Sequence, residues 1–299
     1  MANPICLSPL KFYDKPLKRN HNKSYAYGHV TPLVMPFNTL DPFQFVLPYN
    51  ATDIVYAQLT SYGYGGKNFN GTEVIITGFI DNLKEAGLKV VNVYNQEIGN
   101  KKICIFPGLY PLSRVTYEGV YDLRLKDDQG NWYYSEMFCF SNSTSNLLTI
   151  EYWNPECDFA MNNGLITFTD GFKFKLRLNT ELGKPEYSFE EEVTKRLGYQ
   201  FIENQTSKKI YKFNAVVPEY ICDAMRIIKL CSKKTITSLD STYDAISFDM
   251  DVDWQDQGDL ASVNCSFETD NVIAVVGGYR YKNLGGDYNA DYNNDYDNQ

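Results

Sequence analysis

The sequence predicts a mainly β protein with an α+β C-terminal half, in which an N-terminal β-sandwich domain is followed by a sheet domain that carries two short helices. The 299 residues include 24 Tyr and 18 Phe, and aromatic and β-branched residues favour the pleated, half-buried surface of a sheet. Short apolar runs recur between Gly, Asn, Asp and Pro clusters in the first half, which is typical of a sandwich. Two segments of the second half begin with helix start signals.

These patterns divide the chain into four segments: an extended arm at 1–40, a β-sandwich-like domain at 41–150, an α+β domain at 151–280 and a disordered acidic tail at 281–299. The arm is rich in Pro, Asn and Lys, and its prolines keep the preceding residues extended. We expect it to become ordered against a neighbouring molecule. Its basic residues are Lys11, Lys15, Lys18, Arg19 and Lys23. Short basic patches are common, so we interpret these side chains as solvated.

The sandwich-like domain contains recurring strand candidates, namely Thr72–Thr77, Leu88–Val93 and Val120–Leu125. The clearest hairpin joins Tyr121–Leu125 to Trp132–Phe140. Its turn contains Gly130, which adopts a positive φ without steric cost. The domain is therefore expected to be built from antiparallel strands.

The two predicted helices lie in the α+β domain. The first begins near Pro185, where Ser188 and Glu191 have capping-box spacing and Gly198 can close the C-terminus. The second begins at Pro218, a residue suited to a first helical turn. Its apolar stripe consists of Ile221, Ala224, Met225 and Ile228. A core-packing helix is expected there.

The end of the chain repeats Asp, Tyr and Asn. Residues 285–297 lack large aliphatic side chains, so packing cannot offset the entropy cost of ordering them. We expect this tail to be disordered in the free protein, and docking onto a partner is the second interpretation.

Composition argues against several classes of function. The net charge of −9 disfavours broad contact with a phosphate backbone, and no direct sequence-specific binding of nucleic acid is expected. The seven cysteines are odd in number and form no Cys-x-x-Cys pair, so we predict reduced, mostly buried thiols rather than disulfides or a zinc site. No signal-peptide pattern and no apolar run of membrane-spanning length is present. We therefore expect synthesis in a cytosol and no membrane insertion.

No enzyme is predicted, and we assign no catalytic, cofactor-binding or metal-binding residue. The only histidines, His21 and His29, lie in the predicted arm, although His is the commonest acid–base group near neutral pH. The glycine-rich stretch 61–68 fails the P-loop pattern, because Ser61 replaces its first Gly and Asn68 replaces its Ser or Thr.

Two acidic clusters have alternative interpretations. Asp249, Asp251 and Asp253 would share one face of a strand, which suits calcium, but the EF-hand spacing is absent and a solvated acidic face is favoured. Glu190–Glu192 could suggest a glycosidase pair. Consecutive helical residues point in different directions, however, and a charge cluster at a helix start explains them.

The block Lys184–Asp270 joins the acidic helix, a strand pair, the second helix and a strand-turn-strand. Together with Trp132–Glu136 and Glu151–Asn154, it resembles a family of virion tail and neck proteins from tailed phages that infect gut Bacteroidetes, crAss-like phages among them. The resemblance implies a structural subunit that forms a ring-type homo-oligomer and contacts other phage tail or neck proteins, on the portal side or at the tail tip. It also implies synthesis in the host cytoplasm followed by a place in the virion.

The alternative is a glycan-binding module of a tail or adhesion apparatus. Tyr62, Tyr64, Trp132 and Tyr133 could offer flat faces to sugar rings, although aromatic residues on strands are usually core residues or cross-strand pairs. A hydrolase is the weakest hypothesis because no credible base and nucleophile are found.

Overall fold

The computed structural model describes residues 8–16, 33–61, 74–95, 99–108, 110–112, 115, 118–155, 166–196, 199–239, 241–254, 260–269 and 273–276. The chain divides into two compact units. Unit 1 comprises Met1–Glu186 and Ile210–Asp270, and unit 2 comprises Tyr187–Lys209 and Asn271–Gln299. The predicted fold class is confirmed, since several sheets and a few short helices make up the described residues.

The elements, in chain order, are β1 Phe12–Tyr13, β2 Val34–Pro36, β3 Thr39–Leu40, β4 Phe43–Leu47, β5 Ile54–Ser61, β6 Val74–Thr77, α1 Ile80–Glu85, β7 Lys89–Asn95, β8 Gly99–Phe106, β9 Tyr110–Pro111, β10 Gly119–Asp127, β11 Trp132–Ser135, β12 Phe138–Ser141, β13 Leu148–Trp153, β14 Phe174–Leu178, β15 Glu186–Arg196, β16 Tyr199–Pro218, α2 Glu219–Leu230, β17 Lys233–Ser238, β18 Ser241–Asp244, β19 Asp249–Trp254, β20 Leu260–Glu268 and β21 Ile273–Val276. A 3-10 turn at Thr169–Gly171 precedes β14. None of the described helices is both long enough and apolar enough to cross a membrane.

The largest sheet of unit 1 contains seven strands and is organised around β10, which pairs with β11, β12 and β5. The predicted hairpin is confirmed: Leu125 lies opposite Tyr133, and Lys126 lies opposite Trp132. Gly130 in its turn has φ +90°, a conformation that favours glycine.

A three-stranded sheet, β4-β8-β7, packs on the large sheet through aromatic rings. The ring of Phe12 in β1 lies 4.5 Å from that of Phe45 in β4, and the ring of Tyr133 in β11 lies 4.9 Å from Phe45. Because each buried ring removes a large apolar area from water, these contacts hold two sheets face to face, as in a sandwich.

The predicted arm is wrong for residues 8–16 and 33–40. Leu10, Phe12 and Met35 are fully buried, because β1 pairs with β11 and β2 pairs with β12. Pro36 is the last residue of β2, a position at the sheet edge where a missing N–H is tolerated. Pro36 therefore marks the end of a short edge strand. Residues 1–7 and 17–32, with Lys18, Arg19, Lys23 and both histidines, lie outside the described residues.

A four-stranded sheet, β14-β13-β17-β18, continues unit 1. The predicted domain boundary at 150/151 falls inside β13, which pairs with both β14 and β17. The hydroxyl of Tyr152 in β13 donates a hydrogen bond of 3.4 Å to the carbonyl of Ala224 in α2. The predicted second helix is confirmed as α2, and its four stripe residues are fully buried.

The predicted first helix is wrong, because residues 186–196 form strand β15. Capping-box spacing concerns only residues within one helical turn. The segment instead pairs with β16, the next strand in the chain, and this pairing makes it a strand. The carboxylate of Glu190 lies 2.7 Å from the ammonium of Lys208, and Glu191 accepts a hydrogen bond of 2.8 Å from Gln205. Cross-strand pairing of this kind overrides helix propensity.

The sequence predicts both helices in the second half of the chain, whereas helix α1 lies in the first half.

Strand β16 pairs with strands of both units. In unit 2 it pairs with β21, with Thr206 opposite Ala274. In unit 1, residues 210–218 of β16 pair with β20, which in turn pairs with β19. The predicted tail at 281–299 lies outside the described residues.

Candidate functional site

A cleft of about 330 Å³ opens in unit 1 beside the 3-10 turn. Its apolar lining residues are Pro42, Ile105, Pro107, Phe172 and Phe174. Its charged lining residues are Lys89, Glu151, Asp170, Lys173 and Lys175. The cleft thus combines apolar surface with three ammonium groups and two carboxylates. Such a combination, in a cavity near the lower end of the usual size range, suits a small amphipathic ligand or side chain.

Backbone geometry shapes one wall of this cleft. Gly87 has φ +103°, and a Cβ atom at this position would lie 2.8 Å from Cγ of Pro107. Asp170 and Gly171 have φ of 58° and 72°. These left-handed residues turn the chain sharply, and Asp170 forms an ion pair with Lys89 at the start of β7.

A row of three cations lies along one face of β14. It consists of Lys173, the residue before the strand, and of Lys175 and Arg177 within the strand. Alternate residues of a strand share a face, and the row becomes more buried along the chain, from exposed Lys173 to buried Arg177. The ammonium of Lys173 lies 4.0 Å from the ring centroid of Trp153. The ammonium of Lys175 lies 2.6 Å from the carboxylate of Glu151, its partner across β13 and β14.

The innermost cation of the row, Arg177, donates a hydrogen bond to Oδ2 of Asp41. Asp41 is 1% exposed and precedes Pro42 of the cleft, and its other oxygen, Oδ1, has no hydrogen-bond partner. Burial raises the pKa of Asp41 to about 6, although the charges of Arg177 and Lys175 lower it. The carboxyl group therefore changes its charge in a mildly acidic range.

A second surface in unit 1 consists of neighbouring aromatic and basic side chains, and we call it the aromatic ladder. The ring of Trp132 lies 5.6 Å from that of Tyr56 and 6.4 Å from that of Tyr134. The ammonium of Lys126 lies 5.6 Å from the Trp132 ring. These side chains are half-buried because they share the face of β5, β10 and β11 that is turned away from the aromatic core.

Four aromatic residues were suggested for glycan binding, and of the two that the structure describes, Trp132 is part of this ladder. Tyr133 is 3% exposed and donates a hydrogen bond of 2.6 Å to Asp127. Burial first, and then Asp127, raise the pKa of Tyr133 far above its ordinary value. Tyr133 is a core residue, and its place in the glycan hypothesis is wrong. Tyr62 and Tyr64 lie outside the described residues.

A third surface lies on β15 in unit 2. Tyr187, Phe189 and Val193 are 63%, 65% and 45% exposed, and their odd-numbered positions place them on one face of the strand. We call these three residues the hairpin surface. The exposed Glu191 lies on the same face, between Phe189 and Val193. β15 also ends the order of its sheet among the described strands, so this face runs along a sheet edge.

The burial pattern of β19 agrees with the predicted solvated acidic face. Asp249, Asp251 and Asp253 are all exposed, while Met250 and Val252 are half-buried. The carboxylate of Asp249 lies 2.5 Å from the ammonium of Lys229. Within the described ranges, no group of three or more His, Cys, Asp and Glu side chains could hold a metal ion.

Five cysteines are described, and each is buried and reduced: Cys104, Cys139, Cys222, Cys231 and Cys265. This part of the thiol prediction is confirmed, while Cys6 and Cys157 lie outside the described residues. Burial raises the pKa of Cys139 and Cys222 to about 11 and that of Cys265 to about 12. Because the thiolate is the reactive form, these thiols are poor nucleophiles at neutral pH.

No protein-family model matches this chain, and neither does any curated protein or solved structure.

The sequence analysis does not predict the cleft, although the sequence contains one signal for it. The segment 172–178 alternates apolar residues with Lys173, Lys175 and Arg177, which is the pattern of a strand with a cationic face. The acidic partners of that face come from distant parts of the chain.

Proposed function

We propose that this chain is a non-enzymatic structural subunit of a phage virion, and that it forms part of a ring or hub in the tail or neck. Its contacts are with copies of itself and with other tail or neck proteins. The observation that supports this role best is the hairpin surface, where two aromatic side chains and one valine are exposed on one face of β15.

The hairpin surface is well suited to contact with another protein chain. Burying one large apolar side chain stabilises a complex by about 1.5–3 kcal/mol, so three such residues favour association. β15 is 11 residues long, and the backbone N–H and C=O groups of an edge strand pair readily with a strand of another chain. A ring would use such a surface in head-to-tail contacts that close on themselves.

Mass photometry of the purified full-length chain, followed by electron microscopy of any large species, tests self-assembly. We expect closed rings, and we expect the double variant Tyr187→Ser/Phe189→Ser to lose them while keeping its far-UV circular dichroism. Tyr49→Ser is the matched control, because Tyr49 is 75% exposed and lies outside the hairpin surface. A chain that stays monomeric at every concentration contradicts assembly driven by its own surfaces.

Location in the virion needs a separate measurement. Gold-labelled antibodies against the chain should decorate the tail or neck of purified phage particles in electron micrographs. Decoration of the capsid, or particles that lack the chain by mass spectrometry, would contradict this location.

The aromatic ladder favours glycan binding as a second candidate function. The ring of Tyr56 and the ammonium of Lys126 each lie 5.6 Å from the ring of Trp132, and aromatic faces and cations together bind acidic or neutral sugars. A glycan array probed with the full chain tests this function. Binding that disappears in Trp132→Ala but persists in the hairpin double variant would support it.

A further inference from the structure

The cleft in unit 1 has one more ammonium group than it has carboxylates. Lys89, Lys173 and Lys175 face Glu151 and Asp170 across a lining that also contains Phe172, Pro42 and Pro107. A ligand that complements this lining carries a negative charge next to an apolar or aromatic group. Neither a purely apolar nor a cationic ligand would match it.

The outermost ion pair of the cleft is easily exchanged. The side chains of Lys89 and Asp170 are 48% and 59% exposed, and exposed ion pairs contribute little to stability. Lys89 can therefore accept an incoming carboxylate in place of Asp170 at small cost. Lys175 is only 14% exposed and lies 2.6 Å from Glu151, so this inner pair keeps its geometry and the cleft keeps its shape.

The chain itself contains a segment with the matching chemistry. Its last residues include three Asp-Tyr pairs, Asp287-Tyr288, Asp291-Tyr292 and Asp295-Tyr296, at intervals of four residues. Each pair places a carboxylate beside an aromatic ring. Residues 281–299 contain four Asp and one Lys, so the segment is attracted to a positively charged cleft.

We propose that the cleft binds an Asp-Tyr pair from the tail of a second copy of this chain. The tyrosine ring packs on the apolar lining, and the aspartate carboxylate binds Lys89 and Lys173. Three equivalent pairs in one tail raise the local concentration of binding groups around a single cleft. The inference rests on the proposed ring for its supply of a neighbouring copy.

Site-specific photocrosslinking tests the proposal on the full-length chain. Tyr292 is replaced by p-benzoylphenylalanine, and copies with light and heavy nitrogen are mixed before irradiation, so that mass spectrometry separates crosslinks within a chain from those between chains. We expect crosslinks between chains that map to residues 105–107 and 171–175. In assembled samples, crosslinks confined to single chains, or directed to other surfaces, overturn the proposal.

Charge variants show whether the cleft lysines hold the tail. In the chain that carries the photocrosslinker, Lys89→Glu/Lys173→Glu should reduce the yield of these crosslinks at least about tenfold, and so should added salt, which screens exposed charges. Lys89→Arg/Lys173→Arg should retain them. Lys229→Glu is the matched control, because Lys229 is 63% exposed in α2 and does not line the cleft. Equal loss in the control overturns the assignment to the cleft.

Mass photometry of the same samples separates this inference from the ring itself. Rings without crosslinks in the cleft overturn the inference and leave the proposed function standing. If the chain remains monomeric, a peptide of residues 285–297 with the same photocrosslinker takes the place of the second copy. Labelling of the cleft by this peptide then supports the inference although the ring has failed, and labelling elsewhere or no labelling overturns it.

Discussion

Arg177 in β14 donates a hydrogen bond to the carboxylate of Asp41, which lies 136 residues earlier in the chain. Both side chains are buried, at 7% and 1% exposure. The pair connects the segment that leads into β4 with the sheet that contains β13 and β14, and it lies at the end of the cationic row that lines the cleft. Its strength is therefore important for the architecture of unit 1.

Removal of the cation should destabilise unit 1 strongly. Arg177→Ala leaves the Asp41 carboxyl buried without its partner, and breaking a buried ion pair in this way costs about 3–5 kcal/mol. Urea unfolding near pH 8 measures the loss. Arg226→Ala serves as the control, since the Arg226 side chain is 64% exposed in its pair with Asp223 and such pairs contribute about 0–1 kcal/mol. Equal losses in the two variants would show that the buried pair has no special weight.

Asp41 should also make stability depend on pH. Burial raises its pKa from 3.8 to about 6. A carboxyl group with a raised pKa in the folded state stabilises folding below its ordinary pKa, and this contribution is lost as the pH rises through about 6. A shift of about two pH units corresponds to about 3 kcal/mol.

We therefore expect the free energy of unfolding of the wild-type chain, relative to that of Asp41→Asn, to fall by most of this amount between about pH 4 and about pH 7. Urea unfolding at several pH values measures the difference. The exposed variant Asp244→Asn controls for the loss of one carboxylate. If the free energy of unfolding changes with pH in the same way in wild type and in Asp41→Asn, the raised pKa assigned to Asp41 is contradicted.

Two glycines at the cleft should differ in their tolerance of a side chain. Gly87→Ala introduces a Cβ atom 2.8 Å from Pro107 at φ +103°, whereas Gly171→Ala meets nothing within 4 Å at φ +72°. A left-handed conformation alone costs an alanine about 1–2 kcal/mol. Gly87→Ala should lose more than this because a contact must also be relieved. Thermal unfolding compares the two variants, and a larger loss for Gly171→Ala would contradict the geometry.

The pairing of β15 with β16 can be tested by exchanging charges. Glu190 and Lys208 lie 2.7 Å apart across the two strands, and opposite charges in such pairs contribute about 0.2–1 kcal/mol. Glu190→Lys should destabilise the hairpin, and Glu190→Lys/Lys208→Glu should recover the loss. Glu181→Lys is the control for charge reversal outside the pair. If residues 186–196 formed a helix, the two changes would be additive, which urea unfolding followed by circular dichroism would reveal.

The sequence by itself determined those helices and strands that a short pattern of neighbouring residues specifies. The stripe of Ile221, Ala224, Met225 and Ile228 specifies one face of α2 by its spacing alone, and all four are buried. The hairpin of β10 and β11 likewise needs only two alternating runs and a glycine with φ +90° between them. The mainly β class follows from the abundance of Tyr and Phe in short runs.

Tertiary structure decided what local spacing leaves open. Ser188 and Glu191 have helix-capping spacing, but pairing with the next strand, β16, makes their segment a strand. Leu10 and Phe12 belong to a segment whose composition predicts an extended arm, yet their burial depends on pairing with β11, more than a hundred residues away. The cleft has the same origin, because the register of β13 and β14 brings Glu151 opposite Lys175. Strand pairing is not local, so composition and periodicity specify that a strand can form but not which strand it will meet.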